Sequence, residues 1–375
     1  MSAPIYLDYQ ATTPLAPEAR EAMLPWLGDK FGNPHSPHRI GREAAAAVEV
    51  ARERVMGCLG ATCGTLAFTS GATEAANWAV KGTMANAPQG RDRIVTIATE
   101  HACVLDTAEY CASQGFALTV LGVGSDGRLD LDAMAAALGD DVALVAAMLV
   151  NNEIGVVQLV AEIARMARDC GALMLCDAVQ GFGRLDAPWA DCDMIAMSAH
   201  KIHGPKGSGA LWLAEGVSPA PLMHGGGQEA GVRSGTLSPA LCAGFGAAAA
   251  LASERRQADC AHVERLWAIA RERLPGWVLN GSETGRYHGN LNIRQEGVDA
   301  ARLISETREV AFSAGSACAS GSGRPSHVLA AIGLSDAEAR SSIRLGFGRY
   351  TTEEEIDRAV ALITAAAERQ LSLAA

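Results

Sequence analysis

The chain has 375 residues, 49% of them hydrophobic and 19% charged, with a formal net charge of −11. That length exceeds what one hydrophobic core usually organises, so a large domain with a smaller partner is expected. The acidic balance argues against direct nucleic-acid binding, and the longest apolar runs, such as residues 142–150, fall far short of the ~20 residues that span a bilayer.

Ten cysteines are present, none in a C-x-x-C pair or a zinc-like arrangement with histidine. No resident metal is therefore expected. The opening "MSAPIYLDYQ" has an acid and no apolar segment, so no secretory signal is read there. Free thiols in a reducing cytoplasm fit this usage.

In chain order, the first strong signal is a helix over residues 41–59, where Val48, Ala51, Val55 and Leu59 recur at helical spacing. Short β-type runs follow at 65–69, 93–99, 117–122, 142–150, 172–178, 194–200 and 209–214, with helical patterns at 73–86 and 159–170 among them. Near-continuous apolar strands alternating with helices predict an α/β fold with a mostly parallel sheet covered on both faces. The pattern changes after about residue 238. Helices are predicted at 238–256 and 259–274, a strand at 290–294, and a last helix from Thr352, with Glu355 completing a capping box. The expected division is a large domain, 15–250, and a small α+β domain, 1–14 with 251–375.

In open parallel sheets, ligands bind at the carboxyl ends of strands. Gly71, Ala72 and Thr73 lie between a strand and a helix, where exposed N–H groups favour an anion. An ordinary strand–helix turn explains them equally well. Asp177 and Gln180 follow an apolar strand, and an acid there holds a cation, pairs with a protonated ring nitrogen, or caps a helix. Ser198, His200 and Lys201 end the next strand. A lysine in that inner place is costly unless paired or neutralised, and its amine can form a Schiff base with a carbonyl. Pyridoxal phosphate needs a lysine and an acid for its ring nitrogen. Asp177 and Lys201 stand on consecutive strands and meet that need. His101 ends another strand, where a flat ring can stack on a planar cofactor and move protons. Finally, "SAGSACASGSG", 313–323, surrounds Cys318 with Ser, Ala and Gly alone. A thiol with so little to pack against reads as reactive rather than structural.

Ten segments, in order, resemble cysteine desulfurases of the NifS/IscS type: "YLDYQATTP", "FGNPHSPH", "FTSGATEAAN", "TEHACVL", "VNNEIGVVQ", "CDAVQ", "SAHKIHGPKGSGALW", "HGGGQEAGVRSGT", "SAGSACASG" and "SSIRLGFGRYTTEEEID". The resemblance runs from residue 6 to about 357. It implies a fold-type I pyridoxal phosphate-dependent transferase with a seven-stranded sheet, working as a homodimer in the cytoplasm. It implies that Lys201 holds the cofactor covalently, that Asp177 pairs with its ring nitrogen, that Gln180 contacts its ring oxygen and that His101 stacks on the ring and shuttles protons. Ala72, Thr73, Ser198 and His200 are implied phosphate ligands, with Thr236 reaching the phosphate across the dimer. Asn152, also beside the cofactor, and Arg344 are implied to hold the substrate carboxylate, a role that suits the planar arginine fork.

Cys318 aligns with the family's catalytic cysteine. The implied reaction takes sulfur from L-cysteine, leaving alanine and a Cys318 persulfide. An acceptor protein for iron–sulfur assembly or tRNA thiolation then receives the sulfur, and the one metal contact implied is a transient iron–sulfur one through Cys318. Selenocysteine lyases and class V aminotransferases are the nearest alternatives. The thiol argues against the second, because transamination needs none. A silent scaffold predicts loss of Lys201, Asp177 or Cys318, and all three are present. The sequence departs from many members at Ala199, where glycine is common. It also ends at Ala375 without the longer tail that helps dock a scaffold.

Overall fold

In the computed structural model, which describes residues 4–314 and 326–374, the chain begins with a short strand, β1 (Ile5–Tyr6), and two helices, α1 (Pro17–Leu27) and α2 (Arg39–Leu59). Pro17 opens α1 where its missing N–H costs nothing. The α2 helix buries Ala44, Val48, Ala51, Val55 and Leu59 along one face and stops at Gly60, which takes a left-handed φ of 82°. The helix expected at 41–59 is present and starts two residues earlier.

The alternating region follows as β2 (Thr65–Thr69), α3 (Ala72–Ala85), β3 (Arg93–Ile97), α4 (Ala102–Ser113), β4 (Ala117–Leu121), α5 (Leu131–Ala137), β5 (Val142–Met148), α6 (Val160–Asp169), β6 (Leu173–Asp177), β7 (Met194–Ser198) and β8 (Gly209–Leu213). Each expected strand forms within its expected run. They make one seven-stranded sheet in the order β2-β8-β7-β6-β5-β3-β4, in which β8 alone runs against its neighbours. Burial alternates between two cores. Leu66, Phe68, Val145 and Ile195 face one; Ala67, Leu144, Ala146 and Ala196 face the other. This two-sided burial explains why the strands read as continuous apolar runs.

The next helix corrects an expectation. The sequence pattern predicts two helices, 238–256 and 259–274, but the structure has one, α7 (Pro239–Arg273). No Gly or Pro interrupts residues 253–262, so nothing breaks the backbone hydrogen bonds there. The break in apolar pattern marks a change of neighbour instead. Cys242, Phe245 and Ala249 pack in the core shared with α2, whereas Val263, Leu266 and Ala270 pack in a separate core.

The chain continues through β9 (Val278–Leu279), β10 (Asn290–Arg294), α8 (Ala300–Glu306), β11 (Val310–Ala311), α9 (His327–Ala331), α10 (Asp336–Arg340), β12 (Ser342–Gly346) and α11 (Glu353–Ala374). All of these but α9 and α10 contribute to that second core, while Val328 and Leu329 of α9 pack with Ile154 and Val156. Strands β12, β10 and β9 form an antiparallel sheet, and β1 pairs in parallel with β11. Thus Ile5 and Leu7 share a core with Leu291, Ile343, Ile356 and Ile363. The expected capping box opens α11: the Thr352 N–H donates to the Glu355 carboxylate at 2.8 Å, and the Glu355 N–H to Thr352 Oγ1 at 3.1 Å. Among the described residues, no helix is long and apolar enough to cross a membrane.

One glycine ties sheet packing to what lies above it. A Cβ on Gly209 of β8 would fall 2.7 Å from Gly71 Cα and 2.7 Å from the Met197 carbonyl oxygen. Backbone atoms cannot yield as a flexible side chain would. Gly209→Ala should therefore destabilise the fold by about 1–3 kcal/mol and displace the turn at Gly71 that starts α3. Thermal unfolding checks the first effect; amide hydrogen exchange over residues 70–75 checks the second.

Candidate active site

The parallel strands β3, β5, β6 and β7 end on one side of the sheet. A cavity of about 850 Å³ opens there, within the usual range of small-molecule sites. Ala72, Thr73, His101, Asn152 and Asp177 line it, together with Gln180, Ser198, His200, Lys201 and Arg344. Thr236 is exposed and not part of its wall. Cys318 lies outside the described residues.

Lys201 sits in the single 3-10 turn that follows β7. Its Nζ donates to the carbonyls of Gln10 and Ala11, at 2.5 and 2.8 Å. Burial, aided by the Arg344 and Arg184 charges, lowers its pKa to about 8. A minor but far from negligible share of the amine is then neutral near physiological pH, the form that attacks a carbonyl. Beside it, His200 Nδ1 meets Thr12 Oγ1 at 3.1 Å. Burial first, and the Lys201 charge next, hold His200 down at about 4, so its ring is neutral.

Asp177 ends β6 and is 6% exposed. Its Oδ1 accepts the Val179 N–H at 2.9 Å. No Lys or Arg among the described residues forms an ion pair with it. Burial raises its pKa, against the attraction of His101 and Lys201. His101 caps α4, with Nδ1 accepting the Cys103 N–H at 3.1 Å. That bond leaves Nε2 to carry the proton of the neutral ring. Gln180 is held at both ends: Nε2 donates to the Gln10 carbonyl at 2.9 Å, and Oε1 accepts from Arg184 at 2.9 Å.

At the other end of the cavity α3 begins with no side-chain cap. Its first turn, at Ala72 and Thr73, therefore presents free N–H groups and the positive end of the helix dipole. Arg344 on β12 is 1% exposed. Its Nη2 donates to Asp8 Oδ1 at 2.7 Å and its Nη1 to the Asn152 carbonyl at 3.0 Å, while Nε has no partner among the described residues. Ser313, just before the undescribed residues, exchanges backbone hydrogen bonds with Arg344 and donates Oγ to Asp8 at 2.8 Å. Just after them, Ser326 donates to the buried Glu153 carboxylate and caps α9.

These groups suit pyridoxal phosphate. An uncapped helix start fits its phosphate, a buried carboxylate without a cation fits its protonated ring nitrogen, and a depressed amine fits its aldehyde. Sequence reasoning missed three participants: Asp8, Gln10 and Glu100. The first two lie in "YLDYQATTP", a segment that gives no local sign of reaching Lys201 and Arg344. Glu100 lies next to His101 and looks like a surface acid in the sequence; in the structure it is fully buried.

Comparison with known proteins agrees with this geometry. The chain is 44% identical over 372 residues to the cysteine desulfurase IscS of Rickettsia rickettsii (strain Iowa), covering 97% of this chain and 91% of the relative. The corresponding protein of Rickettsia felis is also 44% identical, over 369 residues, covering 96% and 90%. Among solved structures, a NifS-like protein superposes with a TM-score of 0.91 at 31% identity, covering 96% of this chain and 98% of that one. A structure described as SspA in complex with cysteine superposes with a TM-score of 0.83 at 34% identity, covering 92% and 99%. Residues 5–359 match the family model for class-V aminotransferases, and with the lysine, acid and helix start in place at the strand ends, the chain belongs to the class-V aminotransferase family.

Proposed function

We propose that this chain is a pyridoxal phosphate-dependent cysteine desulfurase, which takes sulfur from L-cysteine and leaves L-alanine. The observation that carries the reading is the pairing of Lys201, a buried and partly neutral amine, with Asp177, a buried carboxylate lacking a cation, across one cavity. The likeness to a protein solved with cysteine supports the choice of substrate.

Bound pyridoxal phosphate supplies an electron sink that loosens the substrate's bonds at its α-carbon. The chain's own residues do the rest. The α3 start, Ser198 and His200 would hold the phosphate, and Asp177 would hold the proton on the ring nitrogen. Gln180 and His101, both in the cavity wall, would contact the ring, His101 with a proton on Nε2. Lys201 Nζ would bind the cofactor aldehyde and, when unbound, would be placed to hold or move a proton at the substrate. Arg344, kept in plane by Asp8 and the Asn152 carbonyl, offers its remaining N–H bonds to the substrate carboxylate. The Cys318 thiolate attacks the substrate sulfur. A sulfur–sulfur bond forms, the carbon–sulfur bond breaks, and the electron pair left on carbon is protonated on the way to alanine. The persulfide on Cys318 then passes to a sulfur-acceptor or iron–sulfur scaffold protein. Ser313 and Ser326 fasten the neighbours of that segment to the cavity wall.

The same reading gives the chain a large cofactor domain, 15–250, and a small domain, 1–14 with 251–375. It works as a cytoplasmic homodimer, in which exposed Thr236 completes the phosphate site of a second copy.

Three outcomes follow. Cys318→Ser should keep the visible absorption of bound cofactor and lose alanine formation from L-cysteine by at least about 100-fold, since the thiolate is the nucleophile; turnover at the parent rate refutes the assignment. Cofactor-free protein should react with pyridoxal phosphate faster as pH rises, levelling off above about 8, because only the unprotonated Lys201 amine attacks; Lys201→Ala should show no such phase in stopped-flow absorbance. Asp8→Asn should raise the KM for L-cysteine about tenfold and change kcat much less, because it loosens Arg344 without touching the reacting atoms; steady-state kinetics separates the two.

A further inference from the structure

We propose that Glu100 is held as an uncharged carboxylic acid beside Asp177, so that Asp177 alone of the two carries the negative charge. The inference deepens the pyridoxal phosphate reading above and rests on it. Glu100 lies between β3 and α4 and is 0% exposed. Its Oε1 accepts the Met148 N–H at 2.6 Å, and its Oε2 has no partner among the described residues. Met148 is the register partner of Asp177 on the adjoining strand, so the two carboxyl groups share one dry region.

Among the described residues, the groups that face Glu100 include no lysine or arginine. Asp177 and Cys176 come from β6, Cys103 from the first turn of α4, and His101, whose Nδ1 accepts the Cys103 N–H, from its cap. His327 of α9 reaches only the Glu100 backbone carbonyl, at 2.9 Å. No Lys or Arg among the described residues pairs with it. A buried carboxylate needs several donors, and Glu100 has one. A buried acid tolerates one accepted hydrogen bond far better. Two carboxyl groups in one low-dielectric region cannot both ionise. Asp177 keeps the charge because it borders the cavity, accepts the Val179 N–H and feels His101 and Lys201. Burial and the Asp177 charge together push Glu100 well above the ordinary carboxylate range. For the cofactor, this gives the ring-nitrogen proton one undivided counter-charge. Glu100 acts as a positioning residue: it anchors the end of β5 at Met148, the register partner of Asp177.

The test compares the full-length protein with Glu100→Gln, which keeps shape and neutrality. In the unfolded chain Glu100 ionises near its ordinary value of about 4.3, whereas in the folded protein it stays protonated. Its raised pKa therefore makes wild-type stability fall as pH rises. Relative to Glu100→Gln, the wild-type folding equilibrium should drop about tenfold per pH unit between pH 5 and 7. Denaturant unfolding at three pH values, with and without added pyridoxal phosphate, reads this; parallel profiles overturn the proposal. Infrared difference spectra at pH 7 should show a protonated-carboxyl band in wild type that Glu100→Gln lacks; a carboxylate band in its place overturns it independently. Glu100→Ala should weaken cofactor binding at least tenfold and Glu100→Gln should restore it, whereas wild-type affinity in Glu100→Ala overturns the positioning role. If wild type binds no pyridoxal phosphate, the cofactor reading fails, and the positioning role with it, while stability and infrared still decide the charge of Glu100.

Discussion

The site depends on placing an amine and a carboxylate at the ends of two neighbouring parallel strands while keeping each from neutralising the other. Asp177 closes β6, and its register partner Ala196 lies five residues before Lys201 on β7. Both groups are withdrawn from water, and each is shifted toward its uncharged form by that withdrawal. Lys201 spends its protons on two backbone carbonyls rather than on Asp177. The carboxylate therefore stays available to a ligand cation, and the amine stays available to a ligand carbonyl. A direct salt bridge would have satisfied both and left nothing to bind.

This separation requires the small second core. Residues 8 to 11 leave β1, which is anchored by Ile5 and Leu7 in that core, and cross to the cavity. There Gln10 and Ala11 hold Lys201, Gln10 also holds Gln180, and Asp8 holds Arg344. Arg344 itself rises from β12 in the small core. One short stretch thus orients the amine set in the large sheet and the arginine set in the small one. The long helix α7 ties the two cores from the far side by contributing one end to each.

Much of this was legible in the residues. The seven strand runs, the α2 face and the α11 capping box appeared where local pattern placed them, because burial on both faces and capping chemistry act within a few residues. The strand-end candidates Ala72, His101, Asp177 and Lys201 converge on one cavity because parallel strands put all their carboxyl ends on one side. The continuity of α7 was not legible, since a change of packing partner and a break in a helix interrupt an apolar stripe in the same way. Glu100 was hidden for a related reason. Its burial is set by β5 and β6, which lie 40 to 80 residues away in the chain, and nothing next to it marks it as inaccessible.

The sequence by itself determined the chemical kit: an amine, an acid, an imidazole and a thiol in a Ser, Ala and Gly segment, arranged in an order that resembles one enzyme family. It determined the alternating fold as well, because periodicity and turn residues are local properties. Only the tertiary structure decided which carboxyl group carries the charge, which amine is partly neutral and which arginine is already occupied by Asp8. Those outcomes depend on water exclusion and on distances between segments remote in the chain, and neither quantity exists until the sheet and the second core have closed around the cavity.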